Sequence, residues 1–214
     1  MLKIKLEKSK YKILCLGAHA DDIEIGCGGT ILKLIENNSD IIINWVIFCA
    51  NRVRKKEALK SANLFLNNSK ENSIIIENYR DGFFPYIGAK IKENFERLKQ
   101  QISPDLIFTH YQKDLHQDHR LISELTWNTF RDNLILEYEI PKYDGDLGRP
   151  NLFVDLTISQ CNKKIKYLTK SYQSQSTKHW FSDDTFLSIL RIRGIQSNAT
   201  SKYAEAFYCR KMIL

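Results

Sequence analysis

Apolar positions along this chain fall into two patterns: short unbroken runs, and longer stretches in which they recur every three or four residues. Ile13-Leu14-Cys15-Leu16, Ile41-Ile42-Ile43 with Val46-Ile47-Phe48, Ile74-Ile75-Ile76, residues 104–109 and Leu134-Ile135-Leu136 are runs of the first kind and predict strands buried on both faces. Between them, Ile31, Leu32, Leu34 and Ile35 predict one helix, and Ala58, Leu59, Ala62 and Leu66 a second over 54–66. Ile91, Phe95, Leu98 and Ile102 predict a third over 88–102, ended by Pro104, and Leu121, Ile122, Leu125 and Phe130 a fourth. Leu152-Phe153-Val154-Asp155 reads as a short strand, and residues 139–150, rich in glycine, proline and charge, as a loop long enough to line a pocket. Thr157 is placed to cap a helix running to Tyr172, and Asp183 to cap another. The alternation predicts an α/β chain, a three-layer sandwich on a mostly parallel central sheet. It reads as one domain, 1–214, whose irregular last third, from about 140, closes over one sheet edge.

Two polar clusters add chemistry to this frame. His19-Ala20-Asp21-Asp22 follows the first apolar run and leads through the glycine-rich Gly26-Cys27-Gly28-Gly29, read as a turn, into a helix. Asp114-Leu115-His116-Gln117-Asp118-His119 stands between another apolar run and another helix. Both therefore lie at strand-to-helix loops, and a parallel sheet gathers such loops at one edge, where open α/β folds bind ligands. Adjacent carboxylates repel unless a cation is held between them. Three of the five histidines lie in these clusters, which together supply the imidazole and carboxylate ligands that a catalytic zinc uses.

These residues resemble the LmbE/PIG-L family of zinc-dependent de-N-acetylases. The likeness rests on His19-Ala20-Asp21-Asp22 with Gly26-Cys27-Gly28-Gly29-Thr30, and on His116-Gln117-Asp118-His119. It continues in Arg80-Asp81-Gly82, Ser174-Gln175, Arg193-Gly194 and Tyr203-Ala204-Glu205-Ala206-Phe207. The resemblance implies a Rossmann-like sandwich and removal of an N-acetyl group from an amino sugar. It also implies Zn2+, or another divalent metal, on His19, Asp22 and His119. Asp21 would be the general base, His116 an acid facing the tetrahedral intermediate, and Asp118 the carboxylate that orients His116 and favours its imidazolium. Arg54 and Asp81 would contact the substrate. The chain departs from many relatives in having Ala20 for a proline and Ile23 ahead of Glu24; some relatives carry a tyrosine where it has Asp114. An amidase cleaving another N-acyl group, or a non-catalytic sugar-nucleotide binding module, are the alternatives that the same pattern admits.

Composition narrows the partners. A net charge of +7 suits an anionic small substrate such as a nucleotide sugar. The lysines are spread along the chain, however, with no nucleic-acid motif, so no nucleic-acid partner is expected. No apolar stretch has the length of a signal peptide or a transmembrane segment, so the expectation is a cytoplasmic protein, and nothing opposes a homo-oligomer. Five scattered cysteines without a C-x-x-C do not form a disulfide framework.

Overall fold

The buried apolar runs line up side by side. In the computed structural model, which describes residues 10–38 and 40–213, they form strands β1 (Lys12–His19), β2 (Ile42–Cys49), β3 (Glu71–Ile76), β4 (Leu106–His110) and β5 (Leu134–Tyr138), paired in parallel in the order β3-β2-β1-β4-β5. Two later strands, β6 (Leu152–Asp155) and β7 (Ala204–Cys209), extend the sheet: β7 runs antiparallel to β5, and β6 pairs antiparallel with β7. The apolar pattern alone does not announce β7; it is built from the Tyr203–Phe207 motif.

Six helices cover the two faces: α1 (Asp22–Asn37), α2 (Arg52–Leu66), α3 (Gly88–Gln101), α4 (Gln117–Thr129), α5 (Ile158–Ser171) and α6 (Asp183–Gln196). Alternation along β1 sorts the layers. Ile13 and Cys15 join the core formed with α1, α2 and α5, whereas Leu14 and Leu16 join the core formed with α3 and α4. The expected three layers and mostly parallel sheet are thus present. After β1 the chain crosses to β2 on one side, and after β4 to β5 on the other. The loops following β1 and β4 therefore diverge at the reversal of strand order, where a crevice opens at the carboxyl edge.

Local signals differ from the sequence reading in three places. The glycines Gly26, Gly28 and Gly29 lie inside α1 rather than in a turn. At Gly26 a Cβ would stand 2.2 Å from the buried Tyr138 ring, so the missing side chain is what lets the helix lie against the sheet. Helix α2 begins at Arg52, because the Asn51 side chain accepts the Val53 and Arg54 amides, both at 3.0 Å. Helix α6 is capped by Ser182, whose hydroxyl accepts the Thr185 amide, while Asp183 is its first residue and meets the positive end of the helix dipole. Thr157 does cap α5, in a reciprocal box with Gln160. No helix among the described residues is long and apolar enough to cross a membrane.

Gly26→Ala should destabilise the fold by about 1–3 kcal/mol, the usual cost of overpacking. Urea unfolding followed by circular dichroism checks this, and an unchanged midpoint would mean that α1 has room to move off Tyr138.

Candidate metal centre

β1 ends on His19 and α1 begins at Asp22, so the short turn between them presents both side chains at the crevice. Across the reversal, His116 caps α4 and His119 lies in its first turn. His19 Nδ1 is 3.1 Å from His119 Nε2 and 3.5 Å from Asp22 Oδ2, and Asp22 Oδ1 is 3.6 Å from His119 Nε2. Donors bound at about 2.0–2.2 Å to one tetrahedral ion stand roughly 3.3–3.6 Å apart, close to this spacing.

The hydrogen bonds around the rings bear on the fit. His119 Nδ1 is 3.0 Å from Asp114 Oδ2, which keeps the ring proton there and leaves Nε2 bare. His19 Nε2 faces Asp81 Oδ1 at 3.1 Å and Asp118 Oδ2 at 3.3 Å, which likewise leaves Nδ1 to the cluster. Burial pushes His119 down to about 3, so its lone pair stays available across the working pH range. Against burial, Asp118, Asp22 and Asp81 hold the His19 pKa well above its ordinary value, so its Nδ1 would give up a proton to an incoming cation; with that proton gone, two imidazole nitrogens and a carboxylate converging on one point fit a divalent ion.

Asp21 is buried next to this triplet. Arg54 Nη2 donates to its Oδ1 at 2.5 Å, while Oδ2 is buried with no partner among the described residues. Burial raises the Asp21 pKa, against the Arg54 guanidinium, which lowers it. A cavity of about 320 Å3 opens beside the cluster, lined by His19, Asn51, Arg54, Asn78, Arg80 and Asp81 among others. Arg54, expected to face the substrate, thus lines the cavity but spends one donor group on Asp21. Asp81 lines it too, largely exposed, and its hydrogen bond with His19 holds it down at about 2.

Asp118 departs from its expected place. Its carboxylate does not orient His116; it accepts the Gly82 and Phe84 amides at 2.7 and 3.1 Å and approaches His19. Two peptide donors from the loop after β3 hold it there. The link to His116 runs the other way, with the Asp118 amide donating to His116 Nδ1 at 3.2 Å. Burial and the nearby His19 charge lower the His116 pKa, outweighing Asp118.

Two groups near the centre, His110 and Lys142, were not singled out from the sequence. His110, the buried last residue of β4, stacks on His119 at 3.9 Å between ring centroids and places Nε2 3.1 Å from Asp22 Oδ2 and 2.9 Å from the Ala18 amide. Its signal was positional, a histidine ending a central strand just as His19 does. Asp114 carries the His119 contact, and Lys142 lies 3.0 Å from Asp114 Oδ2. Glu24 is also placed clearly: it is fully buried under the site, accepts the Tyr172 hydroxyl at 2.6 Å, and burial pushes it up to about 8.

The fold and site define a class: α/β sandwiches with a histidine-carboxylate cluster at the carboxyl edge of a mostly parallel sheet. The family model described as PIG-L: GlcNAc-PI de-N-acetylase matches residues 14–130, more than half of the chain, and the chain belongs to that family. Among solved structures, the N,N'-diacetylchitobiose deacetylase from Pyrococcus horikoshii superposes with a TM-score of 0.69 at 21% identity, covering 93% of this chain and 83% of that one. The zinc-inhibited form of teicoplanin deacetylase Orf2 gives 0.67 at 11% identity, over 92% and 97%. The 4-carboxy-2-hydroxymuconate hydratase from Pseudomonas putida gives 0.70 at 15% identity, over 95% and 98%. At these identities the likeness is one of fold, and the hydratase shows that the fold also serves a reaction other than deacetylation.

The raised Glu24 pKa makes a prediction about stability. The folded state binds a proton that the unfolded chain releases at about pH 4.5, so stability falls as pH rises from there through about 8. Glu24→Gln keeps the shape and removes the titration. Thermal unfolding from pH 5 to 9 should show the variant overtaking the parent as pH rises; parallel curves would remove Glu24 from the titration.

Proposed function

We propose that this chain is a metal-dependent N-deacetylase acting on an N-acetylated amino sugar, free or carried on a nucleotide, lipid or glycoconjugate, and releasing acetate and a free amine. The observation that carries this reading is the approach of His19 and Asp22 to His119, beside a buried oxygen of Asp21 with no partner among the described residues; His19 clusters with His116 and His119, and Asp22 with His110 and His119. His19, Asp22 and His119 hold the metal, zinc or another divalent ion. When bound it supplies Lewis-acid polarisation of the amide carbonyl and increases the acidity of water.

The chain's own groups do the rest. Asp21 is the general base: Arg54 occupies Oδ1, so Oδ2 takes the proton from the attacking water. Burial makes this carboxylate a stronger base, while Arg54 keeps it ionised. The hydroxyl goes to the acetyl carbon, the C–N bond breaks, and Asp21 returns the proton to the leaving nitrogen. His116 stands edge-on to His19 at 4.8 Å between centroids; with Nδ1 accepting an amide, its proton is on Nε2. It therefore acts as a neutral donor to the oxygen on which charge develops, rather than as the imidazolium that the family pattern suggested. Asp118 serves by fixing His19 and the 82–84 backbone, and Asp81 accepts sugar hydroxyls in the cavity. The last third of the single domain, from about 140, closes over this edge through Lys142, while Tyr172 reaches Glu24 beneath it.

The decisive experiment is a screen of N-acetylated sugars and nucleotide sugars for acetate release by the metal-loaded protein. Release of a different acyl group instead would make it an amidase of the same fold. Asp21→Asn should retain the metal and lose roughly 10²–10⁴ in turnover, whereas the double variant His19→Ala, His119→Ala should lose the metal by elemental analysis. Full metal content in that double variant would place the ion elsewhere.

The acidic limb of the pH–rate profile should follow Asp21, activity falling as pH drops through its pKa. Since Arg54 lowers that pKa, Arg54→Met should move the limb to higher pH. A limb that stays in place would separate Arg54 from the base.

A further inference from the structure

The loop between β5 and β6, residues 139–151, reaches the candidate metal centre through one side chain. Its stem is clasped by Glu139, whose Oε1 accepts the Gly148 amide and the Tyr208 hydroxyl, both at 2.9 Å, and whose Oε2 receives Arg193 Nη2 at 2.6 Å. At its tip Tyr143 and Leu147 point outward, 74% and 43% exposed. Lys142 turns inward, its side chain only 9% exposed, with its ammonium 3.0 Å from Asp114 Oδ2 and 2.5 Å from Asp146 Oδ2. That Asp114 oxygen also faces His119 Nδ1 at 3.0 Å, and the other Asp114 oxygen accepts the His116 amide at 2.8 Å. Asp146 Oδ2 in turn accepts the Leu115 amide at 2.7 Å. One buried lysine and its two carboxylates thus bind the loop tip to the stretch that carries both histidines.

Burying an ammonium is costly unless carboxylates satisfy it, so a lysine in this position implies a geometry worth holding. A carboxylate that accepts the distal proton of a metal-binding imidazole sets the tautomer and direction of that ring. Asp114 does so with an oxygen that Lys142 pins from the other side. We infer that Lys142 is a positioning residue of the metal centre: it holds Asp114 against His119 and thereby couples metal affinity to the seating of the 142–147 loop tip. The inference rests on the metal reading proposed above. If seating the loop favours the metal, the metal must favour the seated loop by the same factor.

The sign of the effect separates positioning from charge. A cation that acted only by its charge would repel a divalent ion, and Lys142→Met would tighten metal binding. If Lys142 holds Asp114, the same change weakens binding. Zinc titrated in competition with a chromophoric chelator should show Lys142→Met weakened roughly 10- to 100-fold, the range for outer partners of metal ligands, and Lys142→Arg recovering most of the loss. In the unsubstituted protein, zinc should slow chymotryptic cleavage after Tyr143, and in Lys142→Met it should not. Equal or tighter zinc binding by a folded Lys142→Met, or cleavage of the unsubstituted protein at a rate that zinc leaves unchanged, overturns the inference. If Lys142→Met does not fold, Asp146→Asn, which loosens Lys142 without removing it, should weaken zinc and abolish the protection in the same way. An unsubstituted chain that binds no zinc overturns the metal reading itself, an outcome distinct from the others.

Discussion

Four carboxylates are buried together at one edge of the sheet, and the site depends on how each is compensated. Asp21, Asp22, Asp114 and Asp118 are all at most 4% exposed. In a low-dielectric interior, charges this close cannot all persist without partners. Asp21 has Arg54, Asp114 has Lys142, and Asp118 has two peptide amides. The ion-pair contacts of Asp22 among the described residues are with imidazoles alone, those of His19, His110 and His119. Burial keeps His119 uncharged, whereas Asp118, Asp22 and Asp81 raise the His19 pKa against burial, so the His19 imidazolium is the charge that meets Asp22. A divalent cation where the His19, His119 and Asp22 donors converge would take over that role as the His19 proton leaves.

This arrangement was legible from the sequence to the extent that it is local. Apolar runs and helical spacings are written within a few residues of one another, and both histidine clusters flank such runs. The strand ends and the gathering of the two clusters at one edge could thus be anticipated, while the particular set His19, Asp22 and His119 came from the family resemblance. Asp118 could not be placed the same way, because its carboxylate is claimed by the Gly82 and Phe84 amides, more than thirty residues distant. The contact between Lys142 and Asp114 likewise crosses from a loop with no regular pattern. His110 ends its strand on a mainly apolar run and has no carboxylate or second histidine beside it in sequence to mark it. The glycines misled for a related reason: a Gly-Gly pair suggests a turn, but in α1 it records how closely Phe65 and Leu156 approach the helix, as Gly26 does for Tyr138.

Close packing of α1 also explains why the C-terminal motif belongs to the site although it lies far from the crevice. Gly29 N–H and Ile25 C=O are four residues apart in α1, and each is met by a side chain. The Glu205 carboxylate accepts the Gly29 and Thr30 amides at 2.8 and 2.6 Å, and Lys164 donates to the Ile25 carbonyl at 2.6 Å. Lys164 and Glu205 are themselves paired at 2.6 Å and almost fully buried. An isolated buried ion pair is often no more stable than apolar residues of the same volume. Here, however, each partner also satisfies backbone groups of α1, so an apolar replacement would leave those groups without these bonds. Glu205 comes from β7 and Lys164 from α5, and together they fix the depth of α1 against the sheet. Asp22 is the first residue of that helix, so its distance from His119 is set partly by a pair of charges at the far end of the sequence. The antiparallel extension of the sheet by β6 and β7 thus has a reason beyond covering an edge: it carries the carboxylate that holds the ligand-bearing helix in register.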